Sequence, residues 1–142
     1  MDWLKRKIHH THLQRGAAAE HLACNFLQRQ GLFIVQRNYR CRCGEIDIIA
    51  RDQQPGTAAV LCFVEVRCRS RSSHGRAAET VDRRKQKKLI NCAQHYLIRH
   101  PTHVKCRFDV IEVSYSHRGD ARHDGTHMNR ANINWIRDAF WS

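Results

Sequence analysis

The stretch that decides the fold is GEIDIIA at residues 44–50, which is followed by VLCFVEVR at residues 60–67. Both runs are rich in β-branched residues, a composition that favours extended strands over helices. The polar residues between the two runs include Pro55 and Gly56 and are typical of a turn. The sequence therefore predicts two neighbouring strands with a short connection.

Acidic side chains occur in both predicted strands. Because side chains alternate between the two faces of a strand, Glu45, Asp47 and Ile49 should share one face of the first strand. In the second strand, Glu65 and Arg67 should project side by side. Carboxylates in a water-poor cleft repel one another, and a divalent cation such as Mg²⁺ removes that cost while binding a phosphate oxygen and a water. The pattern predicts a phosphodiester-cleaving metal site at which Arg67 stabilises charge on the phosphate.

A helix and a strand are predicted before these two runs. From Gly16, apolar residues recur at helical spacing until Gly31, which is placed to cap the helix end. Residues 32–39 then read as a strand. Three consecutive strands with short connections predict a meander.

A second helix and further extended segments are predicted downstream. The helix should begin at a Thr80 cap and run to His100, just before a proline. Residues 108–115 read as a fourth strand, and residues 132–141 as either a last strand or a short helix. The order αβββαβ predicts one α/β domain with a mixed sheet covered by helices.

Four motifs in this order carry a family resemblance: GEIDIIA, FVEVRCRS, the basic helix start KQKK, and CRFDVIEV. With them the chain resembles the YraN family of bacterial proteins, which is itself similar to the restriction-endonuclease-like PD-(D/E)xK nuclease superfamily. The resemblance implies an α/β, restriction-endonuclease-like αβββαβ core, with a central mixed sheet flanked by helices. One domain is expected over residues 1–142. It would comprise a basic segment at 1–15, a nuclease-like core at 16–116 and an extension at 117–142.

The resemblance also implies a set of metal ligands. Asp47 and Glu65 would hold Mg or Mn, joined by the backbone carbonyl of Val66. Glu20 corresponds to the acid on the first helix, which would hold a metal-bound water or orient the other ligands. Taken without the resemblance, Glu20 reads as an exposed helix residue, and the alternative for Asp47 is a strand acid paired with a nearby arginine.

Three further residues are implied to take part in catalysis. Arg67 occupies the position of the superfamily's usual lysine, and Gln86 or Lys85 corresponds to a polar residue on the second helix. Arginine stays protonated, so Arg67 can stabilise charge but cannot act as a base. Water bound to a metal needs no protein base, because the cation lowers its pKa.

The charge of the chain predicts a polyanionic partner. Subtracting 13 acidic from 25 basic residues leaves a formal charge of +12. More than half of this excess lies between residues 67 and 88, next to the predicted site. A solvated surface would account for such a charge run as well. The resemblance favours nucleic acid, and DNA first, bound by Arg69, Arg71, Arg76, Arg83, Arg84, Lys85, Lys87 and Lys88.

Cysteine usage and hydropathy predict a cytoplasmic setting without a membrane span. No apolar run is long enough to span a bilayer, and the first 15 residues lack the apolar core of a signal peptide. Seven cysteines, an odd number, favour reduced thiols. Cys41 and Cys43 suit a basic hairpin turn better than a zinc site.

Two functions of different classes follow from the sequence. The first is a metal-dependent endonuclease, and the second is a non-catalytic nucleic-acid-binding module that kept the fold. A basic adaptor for an acidic protein is a third, weaker alternative. Trp135, Phe140 and Trp141 are expected in the core, with a dimer contact as the alternative.

Overall fold

The computed structural model describes residues 2–69, 81–116 and 130–140. Its elements, in chain order, are α1 (Asp2–Arg29), β1 (Leu32–Cys41), β2 (Gly44–Asp52), β3 (Val60–Arg69), α2 (Arg83–Arg99), β4 (Lys105–Ser116) and β5 (Arg130–Phe140). The predicted αβββαβ order is confirmed. The C-terminal segment, which was predicted as either a strand or a short helix, forms the strand β5. Of the predicted nucleic-acid contacts, Arg71 and Arg76 lie outside the described residues.

The strands form one sheet in the order β1-β2-β3-β4-β5. β1, β2 and β3 are joined as an antiparallel meander, as predicted. β4 is parallel to β3 and antiparallel to β5, so the sheet is mixed. The parallel pair requires a long crossover, and this crossover contains α2.

Each face of the sheet is covered by one helix. On one face, Ala23 and Leu27 of α1 pack against Ile48, Val64 and other apolar strand residues. On the other face, Leu89, Ala93 and Tyr96 of α2 pack against a different set of strand side chains. The predicted α/β class, with a mixed sheet flanked by helices, is confirmed. No helix in the described ranges is long and apolar enough to cross a membrane.

The helix boundaries differ in part from the sequence prediction. Gly31 has φ of 86° and its N–H bonds to the Gln28 carbonyl, which confirms it at the end of α1. The backbone of α1, however, is already helical from Asp2, well before Gly16. The cap of α2 is Asp82, whose side chain accepts the N–H of Lys85 at 2.8 Å. The predicted cap at Thr80, a residue outside the described ranges, is therefore wrong.

The sheet divides between β2 and β3, and we call this gap the fork. Pairing between these strands ends at Ile48 and Val64. Beyond that point β2 remains paired with β1 as far as Gly44, whereas β3 remains paired with β4 as far as Arg69. The fork thus lies between residues 44–47 of β2 and residues 65–69 of β3. Backbone N–H and C=O groups that face the fork need hydrogen-bond partners other than a neighbouring strand.

A buried ion cluster joins β4, β5 and β2 away from the fork. Asp109 is 1% exposed and accepts hydrogen bonds from Arg107 Nε at 2.9 Å, from Trp135 Nε1 at 3.1 Å and from the Asp138 N–H at 2.9 Å. Arg107 also donates to Asp52 on β2 at 3.0 Å. The charge of Asp109 is therefore neutralised and hydrogen-bonded, as burial requires.

Replacing Asp109 should destabilise the fold strongly. Asp109→Ala leaves the buried Arg107 with only one of its two carboxylates and removes the acceptor of two further N–H groups. We expect the free energy of unfolding to fall by about 3–5 kcal/mol, measured by urea denaturation followed by circular dichroism. The matched control is Asp82→Ala, which removes a helix cap and should cost about 1 kcal/mol. Equal losses in the two variants would contradict this account.

Candidate functional site

Asp47 lies in the fork, where its side chain replaces a missing backbone hydrogen bond between β2 and β3. Its Oδ2 atom accepts the backbone N–H of Val66 at 2.7 Å. This bond links β2 to β3 just beyond their last backbone pair. A carboxylate that accepts a backbone N–H is held in a fixed orientation, and such charge-assisted bonds are stronger than neutral ones. The fork therefore positions Asp47 between the two strands.

Glu65 stands next to Asp47 and is 5% exposed. Its Oε1 atom lies 3.4 Å from Lys85 Nζ and 3.8 Å from Arg67 Nη1, so the predicted side-by-side placement of Glu65 and Arg67 is confirmed. Its Oε2 atom is buried and receives no hydrogen bond from the described part of the chain. A buried carboxylate oxygen without a donor is costly, which makes it a natural place for a proton or a cation.

A second acidic group combines Glu20 of α1 with Glu45 and Asp47 of β2. Glu20, Glu45 and Asp47 each bring one carboxylate oxygen to within 4.8 Å of the others. With its amide oriented to donate, Asn38 bonds to Glu45 Oε1 at 3.1 Å and to Glu20 Oε2 at 3.0 Å. Arg40 Nε also lies 3.2 Å from Glu45 Oε2. Asp47 therefore belongs to both acidic groups and joins them.

The prediction that Glu45, Asp47 and Ile49 share one face of β2 is confirmed only in part. Glu45 and Asp47 do come together. Ile49, however, packs in the core beneath α2, and so does Ile46. The strict alternation that placed Ile49 with the two acids is wrong, because the side-chain pattern of β2 changes where the strand leaves β3. Glu45 thereby becomes a site residue that the sequence analysis had placed on the right face but had not included in the site.

Burial and neighbouring charges raise the pKa of three acids of the site. Burial, reinforced by the charge of Asp47 and opposed by Lys85, raises the pKa of Glu65 to about 7. Burial also raises the pKa of Asp47, although the Val66 N–H opposes it, and the two carboxyls are close enough to share a proton. Burial and the charge of Asp47 raise the pKa of Glu20. The site thus holds more carboxylates than it can ionise together at low cost.

The donor set fits a divalent cation that prefers oxygen ligands. Such cations bind carboxylate and carbonyl oxygens, and the site offers several carboxylates together with the unpartnered Glu65 Oε2. A cation would also offset the burial of the Glu65 carboxylate and its repulsion by Asp47, which together keep the pKa of Glu65 high. Within the predicted ligand set, Glu65 and Glu20 each lie next to Asp47, and the role of the Val66 carbonyl stays a prediction.

The other predicted site residues are distributed along α2 and β3. Gln86 donates its amide to the Val81 carbonyl at 2.8 Å, so its side chain is engaged at the start of α2. Lys85 reaches Glu65 instead. Arg69 Nε lies 3.0 Å from Glu112 Oε1 on β4. The remaining basic residues of α2 are exposed, namely Arg83, Arg84, Lys87 and Lys88.

The fold and the site define a class: an α/β protein that gathers buried carboxylates and a lysine at a fork in a mixed sheet. The chain belongs to the uncharacterised protein family UPF0102, whose sequence model matches residues 19–113. This is the YraN family, so the predicted membership is confirmed.

Relatives from several bacteria share most of their length with this chain. A UPF0102 protein of Nitrosococcus oceani is 42% identical over 132 residues, covering 92% of this chain and 94% of the relative. One from Alcanivorax borkumensis is 43% identical over 129 residues, covering 89% of this chain and 91% of the relative. One from Nitrosomonas europaea is 42% identical over 127 residues, with coverage of 89% and 92%. The resemblance therefore extends beyond the motifs of the fork.

The raised pKa of Glu65 predicts how stability depends on pH. Glu65 binds its proton more tightly in the folded state, with a pKa of about 7 against an ordinary 4.5. The folded state therefore carries more protons between these values, and the free energy of unfolding should fall as pH rises through this window. Glu65→Gln cannot lose this proton, so it should be more stable than wild type at about pH 8 and should lose much less stability on going from about pH 5 to pH 8.

The measurement is urea denaturation of both proteins over this pH range, with a chelator present to remove divalent cations. Titration of the histidines is common to the two proteins and cancels in their difference. A difference between wild type and Glu65→Gln that does not change with pH would contradict the assignment.

Proposed function

We propose that the protein is a metal-dependent nuclease that hydrolyses phosphodiester bonds in nucleic acid, with DNA as the first candidate substrate. One observation carries the proposal: Glu65 is buried beside Asp47, with one oxygen facing Lys85 and Arg67 and the other without a donor in the described residues. This combination fits a cation on one side of Glu65 and a phosphate on the other. Its resemblance to the PD-(D/E)xK pattern adds support.

The metal would be held by carboxylates of the fork. Asp47 and Glu65 are the first ligands, with the Val66 carbonyl as the third. Glu20 and Glu45 lie close to Asp47 and would orient it or hold a coordinated water. When bound, Mg²⁺ or Mn²⁺ lowers the pKa of a coordinated water and binds a phosphate oxygen.

Two cations of the chain would act on the phosphate. Arg67 contacts Glu65 at 3.8 Å and, because it stays protonated, it stabilises negative charge. Lys85 is closer to Glu65, at 3.4 Å, and comes from α2 rather than from β3. Lysine, unlike arginine, can give up a proton. Arg67 stands where the nuclease superfamily usually has a lysine, and Lys85 would supply the missing amine from α2.

The exposed basic face at the start of α2 would hold the nucleic acid backbone. Arg83, Arg84, Lys87 and Lys88 are exposed on the same helix that brings Lys85 to the fork. Cations that neutralise phosphates release counterions, so binding should weaken steeply with salt. Contacts of this kind position the backbone without reading its sequence. The arrangement suits a nuclease whose specificity lies in the shape of its substrate.

Metal binding tests the proposal before any substrate is known. In isothermal titration calorimetry, Mn²⁺ should bind wild type saturably, and Asp47→Asn should weaken binding by at least about tenfold, because a ligand is lost. The matched control is Asp52→Asn, an identical change in another buried acid of β2 that pairs with Arg107 outside the fork. It should leave Mn²⁺ affinity unchanged. Equal effects of the two variants would contradict a site in the fork.

Nuclease activity tests the role of Lys85. Labelled branched, flapped and single-stranded DNA would be incubated with the protein and Mn²⁺. Lys85→Ala should lower kcat by about 10²-fold or more, as for loss of a general acid or base. Lys87→Ala, a control on the exposed face of α2, should leave kcat unchanged, weaken binding modestly and make binding less sensitive to salt.

The non-catalytic binding module is the alternative outcome of the same assay. In that case no DNA is cleaved, Asp47→Asn and Glu65→Gln leave DNA affinity unchanged or increase it, and replacing the exposed α2 cations weakens association. Cleavage that survives both Asp47→Asn and Glu65→Gln would instead reject the fork as the active site.

A further inference from the structure

Cys41 and Cys92 form a close thiol pair beneath the β1–β2 hairpin. Their Sγ atoms are 3.1 Å apart, although the residues are separated by 51 positions in sequence. Cys41 ends β1, and Cys92 is buried in the middle of α2. Sulfur atoms this close need to approach by only about 1 Å to reach the length of a disulfide bond.

The surroundings distinguish the two thiols chemically. The Cys43 N–H donates to Cys41 Sγ at 3.4 Å. Burial opposes charge on Cys41, but the bonds from the Cys92 thiol and from the N–H groups of Cys43 and Gly44 outweigh it and lower the pKa of Cys41. Burial and the neighbouring Cys41 raise the pKa of Cys92 to about 12. Because the thiolate is the nucleophile, Cys41 is the reactive member and Cys92 its protonated partner.

The two elements are already held together next to the pair. Tyr39, two residues before Cys41 on β1, bonds through its hydroxyl to Nδ1 of His95, one turn beyond Cys92 on α2, at 2.6 Å. Tyr39 also packs edge to face on Tyr96 of the same helix. These contacts hold β1 against α2 beside the sulfur pair. Cys41 is partly exposed, which gives a small oxidant access.

We propose that Cys41 and Cys92 are a modification site at which hydrogen peroxide converts two thiols into one disulfide. The Cys41 thiolate attacks one peroxide oxygen, the O–O bond breaks, and the released oxygen leaves as water after taking up a proton. Cys41 is then a sulfenic acid. The Cys92 sulfur attacks the Cys41 sulfur, the S–O bond breaks, and the proton of Cys92 goes to the second departing water. Two thiols lose two electrons, and the peroxide gains them.

The disulfide would link the β1–β2 hairpin covalently to α2. It would close a loop across the sequence separation of 51 and so restrict the unfolded chain more than the folded one. The residues that follow Cys41 lead directly into Glu45 and Asp47, and Lys85 lies on the linked helix. The inference itself does not rest on the proposed nuclease function, because its readout is covalent.

Peptide mapping of the full chain tests the proposal. Reduced protein is treated with one equivalent of hydrogen peroxide, quenched in acid, denatured, alkylated and digested with trypsin. Cleavage at Arg42 places Cys41 and Cys43 in different peptides, so the two can be told apart. We expect the intact mass to fall by about 2 Da and the peptide of Cys41 to be linked to that of Cys92. Dithiothreitol should reverse both changes, and the oxidised protein should have a higher Tm.

Variants at the neighbouring cysteines sharpen the test. Cys41→Ser should abolish protection of Cys92 from alkylation, and Cys43→Ser should leave the Cys41–Cys92 link intact. Cys68→Ser, at an exposed cysteine on β3, is the matched control. A link between Cys41 and Cys43, or oxidation confined to Cys43 and Cys68, would overturn the proposal. The mapping of wild type decides the matter even if a variant folds poorly.

Discussion

The hydrogen bond from the Val66 N–H to Asp47 is the interaction on which the candidate site depends. A sheet normally satisfies its backbone through its neighbours, and the fork interrupts that pattern between β2 and β3. Asp47 restores one connection with its side chain, at 2.7 Å. The same side chain is thereby held near Glu65 on one side and Glu20 on the other. One carboxylate thus belongs both to the backbone hydrogen bonding of the sheet and to the candidate site.

A similar device occurs between β4 and β5, and comparison of the two separates structure from function. Asp109 also accepts a backbone N–H from a neighbouring strand, that of Asp138, where the β4–β5 register shifts. Its other partners, Arg107 and Trp135, satisfy it completely. Asp47 instead adjoins Glu65, whose second oxygen has no donor in the described residues. A satisfied buried acid stabilises the fold, and an unsatisfied pair is what a ligand site requires.

Much of the fold follows from local sequence patterns. β-Branched runs gave the strands, and Gly31 marked the end of α1 because its positive φ suits glycine. Features that depend on tertiary packing were less accessible. Thr80 and Asp82 are both good caps by composition, and burial of Val81 in the core beneath α2 accompanies the start at Asp82. Alternation placed Glu45 beside Asp47 but placed Ile49 there too, and the position of Ile49 in the core beneath α2 required knowing where β2 leaves β3.

The crossover between β3 and β4 has a consequence for how the chain folds. The meander that carries Asp47 and Glu65 needs only short turns, whereas parallel pairing with β4 must await the docking of α2. We therefore expect the two acids to meet before Lys85 reaches them. During that interval they face each other without their lysine, and the candidate site is then a source of frustration along the folding route. Because of this crossover, we expect Lys85 to join the candidate site after Asp47 and Glu65.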